Sequence, residues 1–382
     1  MKALVLSTNN YRSFPSRKQR FAQRLVERGY DVLYVEAPVT WLAGAYPRQW
    51  PKLNAWRAGA RAQGQHLWTA SPSPWLPLFK KYEHIADHDA VTYYRYLSRL
   101  RGGWTSDLGV VVSYLPFVPE TLRLLKAPVV YDCVDDHSSY PGLIDRNTVI
   151  RLEQRTATIA DAVVATNETI AGRFTPWLDK LSIIPNGVDY DLFAGPGMSA
   201  LKPGSGLSRN HRLLYVGAMR EWFDTDMVAA VARALPEYGI DCFGVALPSV
   251  RQALADLPSV RFKGSLPQQE IAQLAPLYDA ALIPFRMSPL TQGVDPLKFY
   301  EYTSAGLPVV SSPIDALGAF DESMVRIAFT PDEFVSAVQS SIDSDSVELR
   351  LHRIESSRHF DWSYRIAEFD RVIDAILSHR DA

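Results

Sequence analysis

Short runs of β-branched and apolar residues recur along this 382-residue chain, and stretches with helical spacing of apolar positions separate them. "KALVLS" reads as a buried strand, residues 17 to 28 as a helix ended by Gly29, and "DVLYVEAP" as the next strand, which makes a βαβ unit. "LGVVVSYL", "PVVYDCVD", "DAVVATNE" and "LSIIPNG" continue the alternation, with a helix over 146 to 160. Parallel strands covered by helices on both faces are the expected result. Residues 194 to 210, "AGPGMSALKPGSGLSRN", are rich in turn formers and hold no periodic apolar signal, so they read as a linker. A fresh alternation then runs through "RLLYVGAM", "DCFGVAL", "VRFKGSL", "DAALIPF" and "LPVVSS". The pattern predicts an α/β protein of two Rossmann-like domains with parallel sheets facing a central cleft: 1–193, the linker 194–210, and 211–360. In such sheets ligands bind beyond the carboxyl ends of the strands.

Composition narrows the class. Apolar residues make up 47% and charged residues 21%, ordinary for a soluble enzyme, and 40 basic against 42 acidic residues give no case for nucleic acid binding. Cys133 and Cys242 fit no metal spacing and read as reduced thiols of a cytoplasmic protein. No uncharged apolar stretch approaches the roughly 18 residues that span a bilayer, so the expectation is a chain neither secreted nor integral to a membrane.

Candidate chemistry gathers in two stretches. In "GVDPLKFYEYTSAGLPVV", residues 293 to 310, Asp295 is the expected N-cap, Pro296 the first helical position and Gly306 the terminator of a helix over 296–305. Lys298 and Glu301 share a face of that helix, about 4.5 Å apart along its axis. The helix N-terminus, with the amide of Leu297, and the Lys298 charge suit a phosphate, while Glu301 suits ribose hydroxyls. The alternative is an i,i+3 surface ion pair. In "VVYDCVDDHSSYPG", Asp132, Asp135, Asp136 and His137 stand at a strand end, where a carboxylate can deprotonate a hydroxyl. These aspartates could instead cap the next helix, pair with Arg146 or Arg151, or hold a divalent cation. Arg17 and Lys18 open the first helix, either as a phosphate contact or as a solvated basic turn, and Arg286 ends strand "DAALIPF" facing the expected cleft.

The second half resembles the donor-binding domain of GT-B glycosyltransferases of the broad family 4 kind. The likeness rests on "IIPNGVDYDLF", similar to the domain-crossing motif; "LLYVGAMREWFD", similar to the first strand and phosphate loop; and "PLKFYEYTSAGLPVV", similar to the nucleotide-binding helix. "FDWSYRIAEF" resembles the entry to a final helix, 361–382, that crosses back toward the first domain. The resemblance implies a UDP-sugar donor held by Gly217, Arg220, Gly264, Arg286, Leu297, Lys298 and Glu301, with no cofactor and no metal. Arg17, Asp136, His137 and Asn186 are the further candidates for the acceptor or the cleft. Two departures stand out: retaining members carry a second Glu eight positions before the ribose-binding one, where this chain has Gly293, and Ala218 stands where they carry Arg. A more distant relative, the glucuronosyltransferase of xanthan assembly, has a similar strand-end segment that carries its base, and the match falls on Asp135.

The expectation is an inverting, metal-independent glycosyltransferase acting on a cell-surface glycan or polyprenyl-diphosphate-linked acceptor. A nucleotide-sugar epimerase and a noncatalytic nucleotide-sugar binder are the rivals. Between 41 and 82 lie five of the nine tryptophans, six basic residues and no acidic one, a composition suited to an anionic membrane surface.

Overall fold

The computed structural model describes residues 1–201, 207 and 209–381 and divides into two compact units. The first is Met1–Pro185 together with the chain from Ile366 onward, and the second is Asn186–Arg365.

The first unit holds an eight-stranded sheet of β1 (Lys2–Leu6), β2 (Asp31–Val35), β3 (Arg61–Gly64), β4 (Leu67–Ala70), β5 (Leu108–Ser113), β6 (Val129–Cys133), β7 (Ala162–Ala165) and β8 (Leu181–Ile183). Their order is β3-β4-β2-β1-β5-β6-β7-β8, and every pair is parallel except β3 with β4. Both faces are apolar: Leu4 and Leu6 join one buried cluster, and Ala3 and Val5 the opposite one, which explains why the strands read as continuous apolar runs. The second cluster also takes in Phe21 and Leu25 of the helix Arg17–Glu27, and Phe369 and Ile373 of the helix Trp362–Asp381. Phe21 and Phe369 stack at 4.1 Å, and Asp370 pairs with Arg24 at 2.7 Å and with Arg28 at 3.1 Å.

The second unit holds six parallel strands, β9 (Arg212–Val216), β10 (Gly239–Phe243), β11 (Val260–Gly264), β12 (Ala280–Ile283), β13 (Val309–Ser311) and β14 (Val325–Ile327), in the order β11-β10-β9-β12-β13-β14.

The expected linker differs. Residues 190 to 200 form the helix Tyr190–Ala200, and Phe193, Ala194 and Gly197 are buried in the second unit. Pro196 and two glycines disguise this helix in the sequence. A Cβ at Gly197 would lie 2.9 Å from the carbonyl of Ala305, so this glycine serves close helix packing and not a turn. The units therefore divide at 185/186, before this helix and not at 193, and at 365/366. Residues 202–206 and 208 of the expected linker lie outside the described residues.

Candidate functional site

Four loops of the second unit, each following a strand, are stitched by main-chain hydrogen bonds. The Gly217 amide donates to the Phe243 carbonyl at 2.8 Å, Met219 to Val245 at 2.9 Å, Gly244 to Gly264 at 2.8 Å, and Arg286 to Trp222 at 2.7 Å. A Cβ at Gly244 would lie 2.0 Å from the Gly217 carbonyl oxygen, so only glycine lets the loops after β9 and β10 meet. Gly264 has φ +75° with nothing within 4 Å of its Cβ position. Arg220 and Arg286 are exposed on these loops, and their side chains form no hydrogen bond or ion pair among the described residues.

The helix Leu297–Ser304 is pinned to this loop system by Tyr302, whose buried hydroxyl accepts from the Val216 amide at 2.7 Å. Pro296, not Asp295, is its N-cap. The Asp295 carboxylate instead accepts from the Asn186 amide at 2.6 Å and the Tyr300 hydroxyl at 2.7 Å, and these bonds fix the approach to the helix. Asn186, expected toward the acceptor, is held in the same joint: its side chain donates to the Asp295 carbonyl at 2.9 Å and its carbonyl accepts from Arg365.

Glu301 is 2% exposed, so its pairing with Lys298 is not a surface ion pair. One carboxylate oxygen accepts from Lys298 Nζ at 2.6 Å and the other from Gln268 Nε2 at 3.0 Å. Gln268 opens the helix Gln268–Leu274, just beyond the Gly264 loop, and ties that loop to Glu301. Nothing in the local pattern points to this residue's part, since only the tertiary fold brings positions 268 and 301 together. Leu297, half-buried, begins the helix.

In the first unit the carboxylates at the end of β6 and in the loop after it have separate partners. Asp132 is fully buried and pairs with Arg17 Nε at 3.0 Å, while Arg17 Nη1 donates to the Ile184 carbonyl at 2.7 Å. Arg17, 2% exposed, is thus not a solvated basic turn. Asp136 caps the turn His137–Ser139, accepting from the Ser138 amide at 2.9 Å and the Ser139 hydroxyl at 2.6 Å, and pairs with Arg173 at 2.5 Å. Those partners hold its carboxyl below the usual range despite burial and make it the cap of this turn.

Asp135 differs from both. Its Oδ2 accepts from the Tyr140 hydroxyl at 3.0 Å, and its Oδ1 has no hydrogen-bond partner among the described residues. Burial pushes this carboxyl up, against the opposing pull of Lys18 and of the Tyr140 hydrogen bond. Lys18 Nζ donates to Thr8 Oγ1 at 2.7 Å. His137 is 5% exposed, and burial, reinforced by Lys18, Lys80 and Arg173, lowers its pKa to about 3, so it is neutral.

No protein-family model matches the chain. TuaH of Bacillus subtilis (strain 168), a protein assigned as a glycosyltransferase of teichuronic acid biosynthesis, is 24% identical over 257 residues, which span 62% of this chain and 64% of TuaH. The chain thus matches less than two thirds of the length of that relative. Among solved structures, Anabaena HepE in complex with UDP and glucose superposes with a TM-score of 0.67 at 14% identity, covering 98% of this chain and 99% of HepE. Sucrose-phosphate synthase from Thermosynechococcus elongatus gives a TM-score of 0.71 at 13% identity, covering 99% of each chain. With two parallel-stranded α/β units and this likeness over nearly its whole length, the chain has the GT-B fold of glycosyltransferases.

Proposed function

We propose that this chain is a metal-independent, inverting glycosyltransferase that moves a sugar from a UDP-sugar to a hydroxyl of a cell-surface glycan or lipid-linked oligosaccharide. One observation carries the donor half: a buried carboxylate, Glu301, held between Lys298 and Gln268 on a helix pinned to four strand-end loops. Glu301 takes the ribose hydroxyls. Lys298, the amides of Leu297 and Lys298, and the unpaired Arg220 and Arg286 meet the diphosphate. HepE, of the same fold, is solved with UDP and with UDP-glucose, which supports this nucleotide.

Asp135 is the base. Oδ1 removes the proton of the acceptor hydroxyl as that oxygen forms its bond to the anomeric carbon. The bond from that carbon to the diphosphate breaks with its electron pair going to UDP, and the anomeric configuration inverts. A carboxyl raised by burial is a stronger base than an exposed one, and Lys18 helps keep it ionised. Gly293, in place of the second glutamate of retaining members, favours inversion. The charge on the leaving diphosphate is met by basic side chains and helix amides.

Calorimetry with UDP, then product stereochemistry with the best UDP-sugar, tests the reading. Failure to bind UDP sinks it, as does a retained anomeric configuration for the role of Asp135. Sugar interconversion without an acceptor would show an epimerase, and UDP-sugar binding without turnover a noncatalytic binder.

We also propose that the chain works on the cytoplasmic membrane face. Trp41, Leu42, Tyr46 and Trp50 are 50%, 46%, 65% and 52% exposed, and Lys52, Arg57 and Arg61 are exposed beside them in the sequence. An apolar patch with basic neighbours suits anionic headgroups. Trp75, by contrast, is 2% exposed, and Trp68 packs edge-on against Trp104 at 5.3 Å, so these two rings serve the fold. No helix among the described residues is long and apolar enough to cross a membrane.

A further inference from the structure

Beside Asp135 the first unit carries a second set of polar groups that the proposed reaction does not use. Lys80 lies at the close of the tryptophan-rich stretch, and its ammonium sits over three aromatic rings, 4.8 Å from the centroid of Phe117, 5.7 Å from Phe79 and 5.9 Å from Tyr140. Its ammonium forms no hydrogen bond or ion pair among the described residues, and burial depresses its pKa. His137 stacks on Tyr140, with ring centroids 5.8 Å apart, and meets Phe117 edge-on at 5.8 Å. Its Nε2 is buried with no hydrogen-bond partner among the described residues. Tyr140 is the residue that donates to Asp135 at 3.0 Å, so these groups and the carboxylate form one cluster.

Three hydrogen-bonding groups are left open there: the Lys80 ammonium, His137 Nε2 and Asp135 Oδ1. A partly desolvated ammonium with aromatic neighbours and no carboxylate partner is costly unless a ligand brings the anion. We infer that this cluster is an acid subsite of the acceptor: Lys80 and His137 bind a carboxylate or phosphate on the acceptor, next to the hydroxyl presented to Asp135. The inference rests on the reading of Asp135 as base, and it narrows the acceptor to a sugar that bears an acid group. Besides Lys80, His137 and Tyr140, the charged and titratable groups facing the cluster are Lys18, Arg17, Arg173, Cys133, Asp136 and Asp135. Arg173 pairs with Asp136 and Glu153, Arg17 with Asp132, and Lys18 donates to Thr8, whereas the Lys80 ammonium has no such partner among the described residues.

The test uses the full chain saturated with UDP, so that acid probes cannot occupy the diphosphate position. Methyl β-glucuronide and glucose 1-phosphate are titrated against the neutral methyl β-glucoside. An acid group bound by a charge-assisted hydrogen bond should gain at least about tenfold in affinity over the glucoside. The gain should vanish in Lys80→Met, persist in Lys80→Arg, and persist in Lys81→Met, where the exposed neighbour serves as control. Preference for the glucuronide identifies a carboxylate, and preference for the phosphate ester identifies a phosphate; either supports the subsite. Equal binding of the three sugars, or an acid preference that survives Lys80→Met, overturns it. UDP binding measured on the same samples reports the donor reading separately, and melting curves establish that each variant folds.

Discussion

Replacing Glu301 by alanine removes a carboxylate on which two side chains already converge. Lys298 Nζ lies 2.6 Å from one oxygen and Gln268 Nε2 lies 3.0 Å from the other. Each oxygen keeps a further lone pair, so two ribose hydroxyls can donate without displacing either neighbour. A single charge-assisted hydrogen bond contributes about 1.5–3 kcal/mol. Because Lys298 and Gln268 already draw on the carboxylate's charge, two ribose bonds together are expected to stay within that range. The UDP dissociation constant should then rise about 10- to 150-fold. Glu301→Gln keeps the shape and one acceptor oxygen and should lose less. Titration calorimetry with UDP and with 2′-deoxy-UDP is the assay, alongside thermal melts, since the substitution also removes an ion-pair partner of Lys298. Wild type should discriminate against the deoxy nucleotide, and Glu301→Ala should not. A change in UDP affinity below twofold, or deoxy discrimination that survives the substitution, refutes the ribose assignment.

Asp135→Asn keeps the shape but not the basicity, so turnover should fall by roughly 10² to 10⁴ while UDP affinity holds in calorimetry. The base must be ionised and burial raises its pKa, so the acidic limb of kcat/KM should lie above the ordinary carboxylate range. Tyr140→Phe removes a hydrogen bond that lowers that pKa and should move the limb to higher pH; an unmoved limb would detach Tyr140 from the base. Asp132→Ala strands the buried Arg17 guanidinium and should destabilise the fold by about 3–5 kcal/mol in urea unfolding, and a loss under about 1 kcal/mol would contradict that pairing. Flotation with anionic liposomes at low salt should carry the wild-type protein upward and leave a Trp41→Ser/Trp50→Ser variant behind; a wild type that stays at the bottom is not a membrane-surface protein.

The strands buried on both faces were legible because each is a compact apolar run, as at "KALVLS" and "DAALIPF". The three strands that escaped, β3, β4 and β14, lie at or beside sheet edges; β3 is the polar "RAQG", and β14 is only three residues long. The helix Leu297–Ser304 was legible from its flanking proline and glycine, whereas its N-cap was not, because Asp295 is drawn to Asn186, more than a hundred residues earlier. Among the three aspartates at and just beyond the end of β6, spacing could not separate roles. Their separation comes from Arg17, Arg173 and Tyr140, and only the Tyr140 contact is local enough to be guessed. Lys80 and Gln268 carried no signal at all, since what matters about each is which rings or carboxylate the fold sets beside it.

The stacking of Phe369 on Phe21 bears on the order in which the protein can be made. Domains emerging from the ribosome tend to fold as they appear, N-terminal first. Here the second unit is one continuous stretch, Asn186–Arg365, and holds everything its sheet needs. The first unit is synthesised earlier, yet one face of its sheet, covered in part by the helix Arg17–Glu27, stays incompletely covered until residues 366 to 376 bring Phe369, Ile373 and Ile376 onto it. The unit translated first is therefore completed last, and its apolar face must be kept from aggregating throughout the synthesis of the unit inserted within it.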